Sequence, residues 1–119
     1  MVVIMSKVFV VQNQHKWHIQ KEEFVPKFNL EPAEKYGKLV YLLNPTAHPF
    51  NPGHIIEELK EKLSGFTAED HLLLVGNPIL IGFAVAIASQ YTHGSVSLLQ
   101  WSGKDHRYIQ VTTSDLFTS

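Results

Sequence analysis

The chain has 119 residues, 45% of them hydrophobic and 18% charged, with a formal net charge of −1. These values predict one globular domain over residues 1–119, long enough to bury a core. Its ten basic residues include a single arginine, Arg107, which disfavours nucleic-acid binding because such surfaces usually carry several guanidinium groups. The absence of cysteine excludes disulfides and thiolate metal sites and fits a reducing compartment.

The first predicted element is a strand over Lys7–Gln12, where apolar residues dominate. The apolar N-terminus lacks the basic region and the small-residue cleavage site of a signal peptide, so we expect no export. The sequence leaves open whether translation starts at Met1 or at Met5, which opens the string MSKVFVV. Residues 1–6 are therefore expected to be either a flexible segment or an upstream extension.

A polar stretch follows the first strand and contains Pro26 and Pro32. Since proline interrupts regular elements, no long helix or strand is expected there. The pattern predicts a short strand near residues 24–28 and one helical turn that begins at Pro32, because proline fits the first helical position.

Strands and helices alternate along the rest of the chain. The predicted strands cover residues 39–43, 72–75 and 96–101, and the Asn-Pro pairs at 51–52 and 77–78 open helices that end near Leu63 and Tyr91. A turn at residues 102–105 then returns the chain as an antiparallel strand over residues 106–112. Strand–helix–strand–helix–strand order predicts parallel strands joined by right-handed crossovers. We therefore expect an α/β, Rossmann-like fold: a small three-layer sheet of about five strands with a parallel βαβαβ centre and a C-terminal antiparallel hairpin.

More than a quarter of the chain forms one uncharged stretch, since no Asp, Glu, Lys or Arg occurs between Asp70 and Lys104. Gly76-Asn77-Pro78 divides this stretch into a strand and a helix. Each of these two parts is too short to span a membrane. The stretch also lacks the lysine and the glycine spacing of a phosphate-binding loop. The pattern therefore predicts a central strand followed by a helix that is apolar on all sides.

Gly82 and Ala86 are four residues apart on this apolar helix and would form a shallow groove on its surface. Two explanations remain open for a helix without a polar side. Either other elements of the chain cover it, or its second face contacts another chain. We favour a homodimer, because 119 residues leave little chain for covering it and large apolar surfaces rarely stay exposed.

Candidate ligand-binding residues follow the parallel strands, because open α/β sheets bind ligands at the carboxyl ends of their strands. They are neutral donors and acceptors, and two helix N-termini suited to anions lie beside them: Asn44, Thr46, His48, Asn77, Gln100 and Ser102. Such a set fits a nucleotide or a small anion. A structural role is the alternative, since Asn-Pro is also a favourable way to begin a helix.

Candidate partner-binding residues lie in two segments and on the apolar helix. The loop at residues 44–54 contains three prolines, which would hold Phe50 rigidly for a partner. The C-terminal hairpin carries Trp101, Lys104, Arg107 and Tyr108, a mixture of aromatic and basic residues suited to a protein partner. A cross-strand Trp–Tyr pair explains the two aromatic residues equally well. Gly82 and Ala86 complete the set.

No catalytic constellation or metal site is predicted from the sequence. The seven histidines lack the acidic spacing of His-Glu-x-x-His, and no serine lies in a Gly-x-Ser-x-Gly turn. We therefore expect no metal and no cofactor.

Three strings, YGKLVYLLNPTAHPF, LLLVGNPILIGFAVAIA and LLQWSGKDHRY, resemble a family of small, uncharacterised proteins of tailed bacteriophages. The resemblance extends over residues 7–108. It implies a phage accessory protein that acts in the host cytoplasm and binds a host component, and it brings no activity or cofactor.

Two functions follow from these observations. The first is a non-enzymatic interaction module, a homodimer that acts through the hairpin and the proline-rich loop and binds a host protein. The alternative is a protein that binds, or hydrolyses, a nucleotide or a small anion at the strand ends.

Overall fold

The computed structural model describes residues 6–114 and 116–117. The predicted alternative start at Met5, and most of the predicted extension, lie outside the described residues. Seven strands and two α-helices follow in chain order: β1 (Lys7–Gln12), β2 (His15–His18), β3 (Glu23–Pro26), β4 (Lys38–Leu43), α1 (Pro52–Lys62), β5 (His71–Leu73), α2 (Pro78–Tyr91), β6 (Ser97–Ser102) and β7 (Arg107–Thr112). A 3₁₀ helix at Glu31–Tyr36 precedes β4.

Five strands form one sheet in the order β4-β1-β5-β6-β7. The first four run parallel, and β7 returns antiparallel to β6. This confirms the predicted α/β fold with its parallel βαβαβ centre and its C-terminal hairpin. None of the helices in the described part of the chain combines the length and the apolar character that crossing a membrane requires.

The direction of each crossover decides which face of the sheet it covers. From β4 to β5 and from β5 to β6 the chain moves the same way across the sheet, so right-handed crossovers place α1 and α2 on one face. From β1 to β4 it moves the opposite way, which places the 3₁₀ helix on the other face. Accordingly, Phe9 and Leu72 pack in the core with the α-helices, whereas Val8 and Leu73 pack with Ala33 of the 3₁₀ helix.

The two α-helices begin as predicted, but their caps differ. The Asn77 side chain accepts a hydrogen bond from the Ile79 backbone N–H at 2.8 Å, which caps α2. Asn51 precedes α1 without such a bond. Gly94 follows α2 with a φ of +89°, a left-handed conformation that suits a glycine at the end of a helix.

The β2–β3 hairpin is the element that sequence analysis missed. A short strand was expected near β3, but its partner β2 was not. Trp17 and Phe24 face each other across the hairpin, with their ring centroids 5.2 Å apart. Both rings are more than half exposed. With little buried surface, these strands lack the alternation of apolar and polar residues that would reveal them.

Helix α2 is buried on one side only. Leu80, Ala84 and Ala88 are fully buried, whereas Ile79 is 53% exposed and Gly82 and Ala86 are also exposed. A Cβ atom at Gly82 would meet no atom of the described chain within 4 Å. The described residues therefore leave this side of α2 exposed.

We expect Gly76→Ala to lower the free energy of unfolding by roughly 2–4 kcal/mol. Gly76 has a φ of +129°, and an added Cβ would lie 2.6 Å from the Gln12 Cβ. Urea denaturation measures the loss. Gly103→Ala is the matched control, because a Cβ there meets nothing within 4 Å. Equal stability of the two variants would contradict this prediction.

Candidate functional site

Gln12 lies at the end of β1, in the middle of the edge where the parallel strands end. Its side-chain amide donates to the backbone carbonyls of Asn44 and Ala47 at 3.2 and 2.8 Å. Its side-chain oxygen accepts from the Asn77 backbone N–H at 2.9 Å. Gln12 is 3% exposed, so one buried carboxamide ties together the two loops that precede α1 and α2.

The two predicted ligand residues beside Gln12 are engaged in their own loops. The Asn44 side-chain oxygen accepts from the backbone N–H and from the hydroxyl of Thr46, at 2.9 and 2.8 Å. Asn77 caps α2, as described above. These contacts correspond to the structural role that the sequence left open as the alternative.

The other predicted ligand residues are spread along the same edge. The His48 ring nitrogen accepts from the Phe50 backbone N–H at 3.3 Å. The Ser102 hydroxyl bonds to the Asp105 side chain within the β6–β7 turn. Gln100 is exposed and is one of the residues that line a cavity.

This cavity, which we call the edge cavity, has a volume of about 580 Å³ and lies on the face of the sheet that carries the 3₁₀ helix. Four segments meet around it. They contribute Gln14 and Lys27 from the base of the β2–β3 hairpin, Phe28, Asn29 and Pro32 from the segment that enters the 3₁₀ helix and from its first turn, Leu74, Val75 and Gly76 from the loop after β5, and Gln100, Trp101 and Tyr108 from β6 and β7. Its volume lies within the range of small-molecule sites.

Tyr108 holds the walls of the edge cavity in place. It is 3% exposed, and its ring packs against that of Trp101 with centroids 5.1 Å apart. Its hydroxyl donates to the Asn29 carbonyl at 3.3 Å, and its own carbonyl accepts from the Tyr36 hydroxyl at 3.3 Å. Burial raises the pKa of the Tyr108 phenol. The Trp101–Tyr108 pair is the cross-strand pair that the sequence offered as the structural explanation.

The remaining predicted partner residues are accessible. Phe50 is 88% exposed in its loop, and Lys104 and Arg107 are exposed around the β6–β7 turn. Because β4 and β6 are parallel, both segments project from the same edge of the sheet. The β2–β3 hairpin follows β1 and leaves from that edge as well. Three exposed segments therefore leave this edge of the sheet, and the hairpin among them was not predicted.

A second polar cluster occupies the opposite edge, where β5 and β6 begin. The His71 ring nitrogen Nδ1 lies 2.6 Å from the Ser97 hydroxyl oxygen, which also accepts from the Gln110 side chain at 3.0 Å. Ser97 can therefore donate its proton to an unprotonated Nδ1. Burial lowers the pKa of His71 below its ordinary value of 6.5, an effect that the neighbouring Asp70 carboxylate opposes.

Among residues 6–114 and 116–117, no group of three or more acidic or histidine side chains is arranged to hold a metal ion. His15, His48 and His54 are exposed at separate positions.

The fold and the edge cavity define a small α/β protein whose parallel sheet is covered on both faces and whose strand ends carry exposed loops. The chain belongs to the Phage Pam3 gp32-like protein family, whose sequence model matches residues 6–114. This confirms the resemblance to a family of phage proteins. The comparisons with curated proteins and with solved structures found no match.

We expect Gln12→Leu to lower the free energy of unfolding by about 2 kcal/mol or more, because it leaves the Asn77 N–H and the Ala47 carbonyl without their partner. Chemical denaturation provides the measurement. Gln20→Leu, at an exposed turn position, is the control for the change in side chain. If both variants unfold at the same denaturant concentration, Gln12 does not have the role described here.

The free energy of unfolding should also depend on pH through the protonation of His71. Its pKa is lower in the folded chain than in the unfolded chain, so the unfolded chain binds the proton first as the pH falls. The free energy of unfolding should therefore decrease as the pH drops through about 6.5 and level off below the folded-state pKa. Urea unfolding at about pH 7.5 and about pH 5.5 measures this decrease, and His71→Gln should reduce it. An unchanged decrease in the variant would show that other groups cause it.

Proposed function

We propose that this chain is a non-enzymatic interaction module that forms a homodimer through the outer face of α2. The observation that carries the proposal is the exposed, uncharged surface formed by Ile79, Gly82, Phe83 and Ala86. We call it the α2 face. Phe83 is partly buried and the other three are exposed.

Three properties of the α2 face favour a second copy of the chain as its occupant. The face has no charge, so two copies can meet on it without electrostatic repulsion. It also offers no charged group that would attract a charged partner. Gly82 and Ala86 leave space beside the larger Ile79 and Phe83, so the side chains of one copy can enter the groove of the other. Such a surface is self-complementary, which a two-fold symmetric dimer requires.

The size of the α2 face indicates how the dimer would be built. The 14 residues of α2 form a helix about 21 Å long. A stable interface buries about 800 Å² of each partner, which is more than one side of such a helix supplies. We infer that α2 forms the centre of the interface and that flanking elements form its rim.

The strand-end edge supports the interaction role. Its asparagines hydrogen-bond within their own loops, while Phe50, Trp17 and Phe24 are each more than half exposed in segments that leave this edge. Exposed aromatic residues are typical anchors of protein interfaces. Since the family is a phage family, we infer a host protein in the host cytoplasm as the partner that these segments bind.

Ala86→Glu should convert the dimer to a monomer, because it places a carboxylate in the centre of an apolar interface. Size-exclusion chromatography with light scattering over a dilution series measures the mass. Ala68→Glu is the matched control, since Ala68 is exposed outside α2, and it should remain dimeric.

A wild-type chain that stays monomeric at the highest concentration would overturn the dimer. So would an Ala86→Glu variant with the same mass as the Ala68→Glu control.

A further inference from the structure

We propose that the edge cavity binds a small planar aromatic anion of the nucleotide type, with its ring against Trp101 and Phe28 and its negative group at Lys27. This site is distinct from the α2 face, and the proposal does not depend on the dimer.

Two exposed aromatic residues, Trp101 and Phe28, form what we call the aromatic walls of the edge cavity. Trp101 and Phe28 are 44% and 43% exposed, although both are large apolar residues beside a core. They belong to different segments and line the same cavity. Aromatic side chains bind flat heterocycles by stacking, which contributes about 1–3 kcal/mol per base.

The aromatic walls are held in position before any ligand binds. Tyr108 packs edge-on against Trp101, and its hydroxyl bonds to Asn29, the residue after Phe28. Both walls are thus connected through one buried side chain. A preformed site has less conformational entropy to lose when a ligand binds.

The polar lining of the edge cavity favours an anion. The residues that line the edge cavity include one cation, Lys27, and no acidic residue. The Lys27 ammonium lies 5.3 Å from the centre of the Phe28 ring, so the positive charge is adjacent to an aromatic wall. Two further polar residues, Gln14 and Gln100, also line the cavity.

The position of the cavity agrees with this assignment. It lies beyond the carboxyl ends of β5 and β6, where open α/β sheets bind their ligands. The neighbouring β1 and β5 lead into connections on opposite faces of the sheet, which opens a crevice at their ends. The ligand class matches the alternative derived from the sequence, but the site uses Gln100 and not Asn44 or Asn77.

Titration of the ¹⁵N-labelled full chain with AMP, GMP, CMP and UMP, each added separately, tests the proposal. The chain has two tryptophans, so two indole N–H signals report on it by NMR. At least one nucleotide should shift the Trp101 signal saturably. The Trp17 signal should remain in place, because Trp17 does not line the cavity. Adenosine and inorganic phosphate, tested alone, should bind more weakly than AMP if AMP is the ligand.

Lys27→Gln should weaken binding about fivefold, the effect of one partly exposed charge pair. Lys21→Gln is the matched control, because this exposed lysine of the β2–β3 hairpin does not line the cavity, and it should bind as the wild type does. Trp101→Ala should weaken binding about tenfold through lost stacking.

The proposal is overturned if no mononucleotide shifts the Trp101 signal. It is also overturned if Lys27→Gln and Lys21→Gln bind equally well, or if a short oligonucleotide binds and no mononucleotide does. The oligomeric state of these samples, measured separately, reports on the α2 face alone.

Discussion

The hydrogen bonds of the Gln12 carboxamide are the constraint on which the arrangement of the strand-end edge depends. A buried amide at the end of the interior strand β1 must satisfy both its donors and its acceptor, because an unpaired polar group in the interior costs about 1–3 kcal/mol. Gln12 does this by bonding to the loop after β4 and to the loop after β5. Gly76 completes the arrangement, since only a residue without a Cβ fits beside Gln12 with that backbone conformation. The starts of α1 and α2 are therefore fixed relative to the sheet.

This constraint has a consequence for function. The side-chain oxygens of Asn44 and Asn77 accept hydrogen bonds within their own loops, which keeps the two loops in place on the α-helical side. On the other face the chain from the β2–β3 hairpin to the 3₁₀ helix leaves the edge cavity between itself and the sheet. Tyr108 supports that cavity by hydrogen bonding to Asn29. The two faces of this edge thus differ in structure.

The two proposed surfaces lie on opposite faces of the sheet. The α2 face is on the α-helical side, and the edge cavity is on the side of the 3₁₀ helix. Dimerisation through α2 would therefore leave both cavities open, and the exposed segments of the edge would remain accessible in both copies. A dimeric module with two equivalent sites gains affinity for a partner that engages both at once.

The sequence alone determined the central fold. The charge-free stretch, the Asn-Pro helix starts and the strand–helix alternation define the parallel centre and α2, because burial and helix capping are local requirements that residue types reveal. It did not reveal β2, whose exposed strand has no apolar pattern, nor the role of Gln12, whose partners are 32 to 65 residues away along the chain. Only the tertiary structure shows that the side chains of Asn44 and Asn77 hydrogen-bond within their own loops. It also shows that Gln100, Trp101 and Lys27 line one cavity. Strand order and crossover direction determine which segments meet, and no local pattern in the chain encodes them.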